Sequence, residues 1–227
     1  MTRTKLKDRR LPDYTRGEEI FNMVSHIVGG GFGVIALATC VIKAFLQGNA
    51  YDITGAFIYG ISMIILYTMS SLYHGLKPVT AKKVFQIIDH CTIFILIAGT
   101  YTPIVLSAIR PANPVMGWSV IGFVWGLSVL GIVLNAIDLK RYNKLSMVLY
   151  LLLGWCIIFT GKSTIQAVEG AGMLWVLLGG ISYTVGALFY GIGGHGKHPL
   201  RYMHSVFHLF VVIGSILQYI GIILYVL

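Results

Sequence analysis

The chain has 227 residues, of which 56% are hydrophobic and 11% charged, with a mean hydropathy of +0.80. Soluble domains carry about 25% charged residues, so this composition excludes a soluble enzyme, a disordered chain and an ordinary nucleic-acid binder. What remains is an integral membrane protein carrying a net charge of +9.

A helix crosses the hydrocarbon with about 20 apolar residues. Seven such runs are predicted, at 20–46, 54–76, 84–108, 116–137, 146–165, 173–193 and 203–226. The first is too long for a signal-peptide core and lacks a small-residue cleavage site, so it reads as a retained helix. Gln47-Gly48-Asn49, Arg110-Pro111-Ala112-Asn113-Pro114 and Gly194-His195-Gly196-Lys197-His198-Pro199 punctuate the runs. Long continuous runs exclude the short alternating strands of a barrel. Cys40, Cys91 and Cys156 lie far apart in apolar segments with no CxxC pair, which argues against a disulfide framework or a thiolate zinc site. The expected fold is therefore all-α, a seven-transmembrane-helix bundle over 20–227 preceded by a basic segment, 1–19.

Charge orients the bundle. Arg3, Lys5, Lys7, Arg9, Arg10, Arg16, Lys77, Lys82, Lys83, Lys140, Arg141, Lys144, Lys197 and Arg201 fall on one side of seven spans. Only Lys43, Arg110 and Lys162 fall on the other. The positive-inside rule then makes the N-terminus cytoplasmic and the C-terminus external.

Ionisable groups within a membrane are costly and are functional candidates by default. Four predicted helices carry them at a similar depth near the cytoplasmic end: Glu18, Glu19, Asn22, Ser25 and His26; Ser70 and His74; Asp89 and His90; His204 and His208. His204 and His208 stand at i, i+4 on one helical face. With His74 at matching depth they make three nitrogen donors, the ligand set of a catalytic zinc site with a fourth position for water. Imidazole also suits copper, iron or nickel. Zinc would lower the pKa of water from 15.7 to about 7. Asp89 would shuttle a proton or orient a ligand histidine. Ser70 reads equally as an oxyanion donor and as a hydroxyl bonded back to its own helix. Glu19, Asn22 and His26 share a face: Glu19 and His26 read as a polar cavity wall, Asn22 and Ser25 as helix-packing contacts. A third alternative makes His26 a replacement zinc ligand.

Ser70-x-x-x-His74, Asp89 and His204-x-x-x-His208 resemble the progestin and adipoQ receptor family, which belongs with the alkaline ceramidases in a wider superfamily of seven-helix membrane proteins. The closer resemblance is to its bacterial branch, the hemolysin III family. It is carried by Glu18-Glu19-x-x-Asn22-x-x-Ser25-His26-x-x-Gly29 and by Asp89-His90-x(7)-Ala98-Gly99-Thr100-Tyr101-Thr102-Pro103. The resemblance implies Zn2+ held by His74, His204 and His208, with Asp89 reaching it through water. It also implies a bacterial plasma-membrane protein of lipid metabolism, hydrolysing a lipid amide or ester. His90 stands where the animal receptors have an aromatic residue, and it reads as a supporting or packing residue. The long N-terminal region of those receptors has no counterpart here, which weighs against hormone reception.

Three functions compete: a zinc-dependent hydrolase with a membrane lipid as substrate, a sensor with structural zinc, and a pore. A pore needs a polar path across the membrane, whereas these polar groups cluster at one end. Assembly into a homo-oligomer stays open. Gly191-x-Gly193-x-x-Gly196 follows a membrane helix rather than a strand, so its dinucleotide-like pattern is spurious. Trp118, Trp125, Trp155 and Trp175 read as packing and interface aromatics. His195, His198, Asp138 and Lys140 read as loop residues.

Overall fold

A computed structural model describes residues 3–46, 49–160, 164, 167–193 and 200–227. Of the residues named above, Gln47, Gly48, Lys162, Gly194, His195, Gly196, Lys197, His198 and Pro199 lie outside the described residues. Every long element is a helix: α1 (Arg16–Leu46), α2 (Ala50–Gly75), α3 (Val79–Pro103), α4 (Pro114–Trp155), α5 (Glu169–Gly193) and α6 (Met203–Tyr225). A π-helical turn, Ile104–Ile109, continues α3, and a 3₁₀ turn, Cys156–Thr160, ends α4. Six helices among the described residues are long and apolar enough to cross a membrane.

The fourth helix departs from the expected pattern. It runs for 42 residues, about 63 Å if straight, twice the hydrocarbon thickness of about 30 Å. At Asp138 the backbone leaves helical geometry (φ −158°, ψ 90°). Hydrogen bonds to α3 show that the two limbs run in opposite directions. In the first limb Trp125 Nε1 donates to Thr102 Oγ1 and Cys91 donates to the carbonyl of Ile132. In the second, Tyr150 donates to the carbonyl of His90 and Tyr101 to that of Gly154. The limbs are tied by Ser146 and Tyr150 against Asn135. Asp138 is thus not a solvated loop residue but a buried corner, where its carboxylate accepts from the backbone N–H of Arg141 and of Thr4.

Neighbouring helices otherwise pack antiparallel through glycines. A Cβ at Gly60 would lie 2.5 Å from the Leu37 Cα, and one at Gly55 2.8 Å from the Pro103 Cα. Only a hydrogen side chain allows α2 this close an approach to α1 and α3. Besides the second limb of α4, which runs parallel to α3, α6 departs in direction and runs parallel to α1. Its contacts climb in step: Ser205 to Asn22, Tyr219 to Thr39, and the Ile223 carbonyl to Lys43. Deeper in the bundle Ser215 of α6 meets the hydroxyls of Tyr67 at 2.7 Å and Tyr183 at 2.8 Å, joining α2, α5 and α6. Large apolar residues such as Val28, Phe45, Leu46 and Leu224 face outward, as a lipid solvent requires. The helices ring the molecule in the order α4, α3, α2, α1, α6, α5, and α5 barely touches α4.

Gly60→Ala is expected to destabilise the bundle by about 1–3 kcal/mol through overpacking against Leu37. Gly31→Ala, whose Cβ would meet nothing within 4 Å, should leave stability unchanged or raise it. Thermal melts of the two variants in one detergent check this.

Candidate metal centre

The first turn of α1 begins four residues earlier than hydropathy indicated, at Arg16, so Glu18 and Glu19 are helical. Each carboxylate then acts on a different helix. Glu18 is buried and accepts from the Tyr202 backbone N–H at 2.7 Å. Tyr202 is the only non-glycine residue at positive φ (62°) among the described residues, and it starts α6 without a side-chain cap of its own. The Glu18 carboxylate stabilises that junction and adds negative charge at a helix N-terminus. It thereby sets where α6 begins, and so the height of His204 and His208.

Glu19 acts on α2. Its Oε2 lies 2.6 Å from His74 Nδ1, and its Oε1 lies 2.9 Å from Lys82 Nζ of α3. Lys82 also donates to the carbonyls of His74 and Leu76, at the C-terminal end of α2. A carboxylate beside Nδ1 holds the proton there and leaves Nε2 as a free donor atom.

That nitrogen turns toward α6. His74 Nε2 lies 3.4 Å from His204 Nε2, which lies 3.0 Å from His208 Nε2. One ligand atom from each of the three histidines falls within 4.8 Å of the others. Two nitrogens bound at 2.0–2.1 Å to a tetrahedral ion stand about 3.3 Å apart, so the spacing fits a shared zinc-sized cation. The Nδ1 atoms of His204 and His208 are buried and have no hydrogen-bond partner. Tyr14 stacks on His204 with ring centroids 4.9 Å apart. Burial pushes its phenol well above the ordinary value, with Tyr73, Tyr190, Glu19 and Asp89 adding to the effect, so the ring stays neutral.

His204 and His208 open onto a cavity of about 140 Å³ that runs up inside the ring of helices. It extends along α6 from His204 to Gln218, about 21 Å at 1.5 Å per residue. Apart from its lower end its walls are mostly apolar or aromatic, including Ile93, Ile97, Tyr101, Tyr150, Trp155, Tyr183 and Val211.

Asp89 and Ser70 both line this cavity beside the histidines, and both are buried. Asp89 stands outside the group of convergent ligand atoms. The Ser70 hydroxyl has no partner; it is Ser71 that bonds back to its own helix, at the Tyr67 carbonyl. His26 lines the cavity too, stacked on His208 at 3.7 Å with both ring nitrogens unpartnered, and it is not one of the clustered ligand atoms. Asn22 is fully buried and accepts from Ser205, a packing contact between α1 and α6. His90, bonded to the Gln86 carbonyl, also reaches the cavity wall.

Sequence reasoning missed Tyr14, Lys82 and Gln218. Tyr14 and Lys82 sat among residues read only as a topology signal. Gln218, ten residues beyond His208, could have been found as an amide in an otherwise apolar run.

Fold and site together define an all-helical, multi-pass membrane protein with a buried histidine cluster at one end of its bundle. The family model described as Haemolysin-III related matches residues 14–219. Hemolysin-3 of Bacillus cereus is 36% identical over 210 residues, covering 92% of each chain. The Hemolysin-3 homolog of Bacillus subtilis (strain 168) is 36% identical over 212 residues, covering 93% of this chain and 96% of that one. The chain belongs to the hemolysin III family.

Removing the charge behind His74 should be felt at the cluster. Should the cluster hold zinc, Glu19→Gln is expected to weaken that binding about 10–100-fold, measured by competition with a chromophoric chelator, and Lys82→Met should weaken it less.

Proposed function

We propose that this protein is a zinc-dependent hydrolase of the bacterial plasma membrane that cleaves an amide or ester bond of a membrane lipid and contributes to lipid homeostasis. The observation that carries the reading is the junction of three convergent histidine nitrogens with a long apolar cavity. His74, His204 and His208 would hold the ion. Bound there, zinc supplies Lewis acidity and makes water easier to deprotonate at neutral pH.

The chain's own residues do the rest. The cavity, longer than the roughly 15 Å of one leaflet's hydrocarbon, takes the acyl chain and keeps bulk water from the reacting carbonyl. Asp89 takes a proton from the attacking water and returns it to the departing nitrogen or oxygen. The acyl C–N or C–O bond breaks, a C–O bond to the water oxygen forms, and the products are a fatty acid and an amine or alcohol. The unpartnered Ser70 hydroxyl donates to the carbonyl oxygen as negative charge develops on it. Glu19 keeps His74 in the tautomer that leaves Nε2 free.

The same reading takes the two limbs of α4 as separate crossings. That gives seven spans, with fourteen of seventeen basic residues on the N-terminal side, which the positive-inside rule makes cytoplasmic. Acidic and imidazole groups gathered at one end of a mostly apolar cavity weigh against a pore.

Purified wild type should contain about one zinc per chain by elemental analysis, and His74→Ala and His204→Ala/His208→Ala should contain none. Asp89→Asn should keep the metal and lose at least about 100-fold in lipid hydrolysis. A wild type that takes up no zinc after supplementation overturns the reading, as does a zinc-loaded protein inert toward broad ester and amide lipid panels.

A further inference from the structure

Beneath the histidine cluster lies a second, wider cavity of about 830 Å³. Four residues, His90, Asn143, Tyr190 and His204, line both cavities. The two therefore meet at the candidate metal centre, one almost wholly apolar and set among the helices, the other more polar and at the end of the bundle. Cations outnumber carboxylates on the wall of the second: Arg9, Arg10, Lys140, Lys144 and Arg201, against Asp13 and Glu18. Arg201 is taken up by those two carboxylates, at 3.9 and 3.5 Å.

Arg9 is the telling residue. Its side chain is 5% exposed, although it belongs to an N-terminal segment that runs across the end of the bundle. Only Nη2 has an ionic neighbour, Asp138 at the long distance of 3.9 Å, while Nε and Nη1 are buried with no partner. Burying a guanidinium with two idle nitrogens is expensive, and an oxyanion in the cavity would satisfy them. Guanidinium suits phosphate oxygens in particular. Lys140 and Lys144, just past the Asp138 corner, add positive charge to the same wall.

Resting on the lipid-hydrolase reading, we infer that this vestibule binds the phosphate of an anionic phospholipid whose acyl chain occupies the apolar cavity. A lipid bound in this way spans the junction. Its headgroup sits among Arg9, Lys140 and Lys144, its chain runs toward Gln218, and the linkage between them lies beside His204 and Asp89. The substrate class is thereby narrowed from lipids in general to phosphate-bearing ones. The opposed charges of the tail and the Asp138 corner hold Arg9 at the vestibule wall.

The test is equilibrium binding to the full-length protein in neutral detergent, read by fluorescence anisotropy. The probes are a fluorescent-acyl phosphatidic acid, the phosphatidylcholine with the same chains, and the matching diacylglycerol. Wild type should bind phosphatidic acid at least about tenfold more tightly than the other two, a difference of about 1.4 kcal/mol. Arg9→Gln should bring the three within about threefold of one another, and so should Lys140→Gln/Lys144→Gln, whose exposed positions leave folding untouched. Arg9→Lys should keep part of the preference. Equal binding of all three lipids by wild type overturns the headgroup site but leaves the lipid reading standing. A preference that survives both charge-removing variants overturns it too. Binding of none of the three lipids would sink the lipid reading itself. Inorganic phosphate serves as competitor. Displacement of the probe only at concentrations far above those of a short-chain phosphatidic acid supports the lipid as the source, and equal potency assigns the site to free phosphate instead.

Discussion

The contact between Glu19 and His74 is the constraint on which the rest of the site depends. It is made across two helices, and a third helix, through Lys82, neutralises the carboxylate from behind. Without it nothing at Nδ1 selects the His74 tautomer that leaves Nε2 free toward α6. With it, the first helix dictates the chemistry of a residue on the second. The same turn of α1 then reaches α6 through Glu18, which fixes the left-handed junction at Tyr202. Two adjacent carboxylates thus register both sources of histidine against one helix end.

Burial makes this arrangement demanding. Imidazole nitrogens that face one another at 3.0 and 3.4 Å cannot all be satisfied by exchanging protons among themselves, because each neutral ring has one donor and one acceptor. In a low-dielectric interior unsatisfied polar groups are costly, and a shared cation relieves that cost. The apolar cavity above the cluster sharpens the contrast. Groups such as Asp89 and Ser70 have few competing partners there and remain available to whatever enters.

Much of this was legible in the sequence. Hydropathy located every long helix, and the spacing of His204 and His208 put both on one face. Ser70, His74 and Asp89 could be matched in depth by counting from the helix ends. What one-dimensional reading could not supply was the partner of each group. Asp138 looked like a loop residue because an acidic side chain between two apolar runs normally faces water; its burial depends on Thr4 and Arg9 arriving from more than 120 residues away. Likewise Ser70 and Ser71 are equivalent by composition, and only the packing of α2 decides which hydroxyl bonds back to the helix and which stays free. The start of α1 at Arg16 escapes hydropathy for a different reason: a hydropathy window ends a helix where charge begins, whereas a helix ends where its backbone hydrogen bonds do.

The sequence distances across the cluster carry a consequence for how the molecule matures. His74 and His204 are 130 residues apart, and Asn22 and Ser205 183 apart. Contacts of such separation close late, after local helices and hairpins have formed. Any ligand held by the cluster therefore recognises only the finished bundle, and by linkage it stabilises that state over every partly assembled one. The site is in this sense a clasp: filling it reports that first and last helices have met, and helps to keep them together.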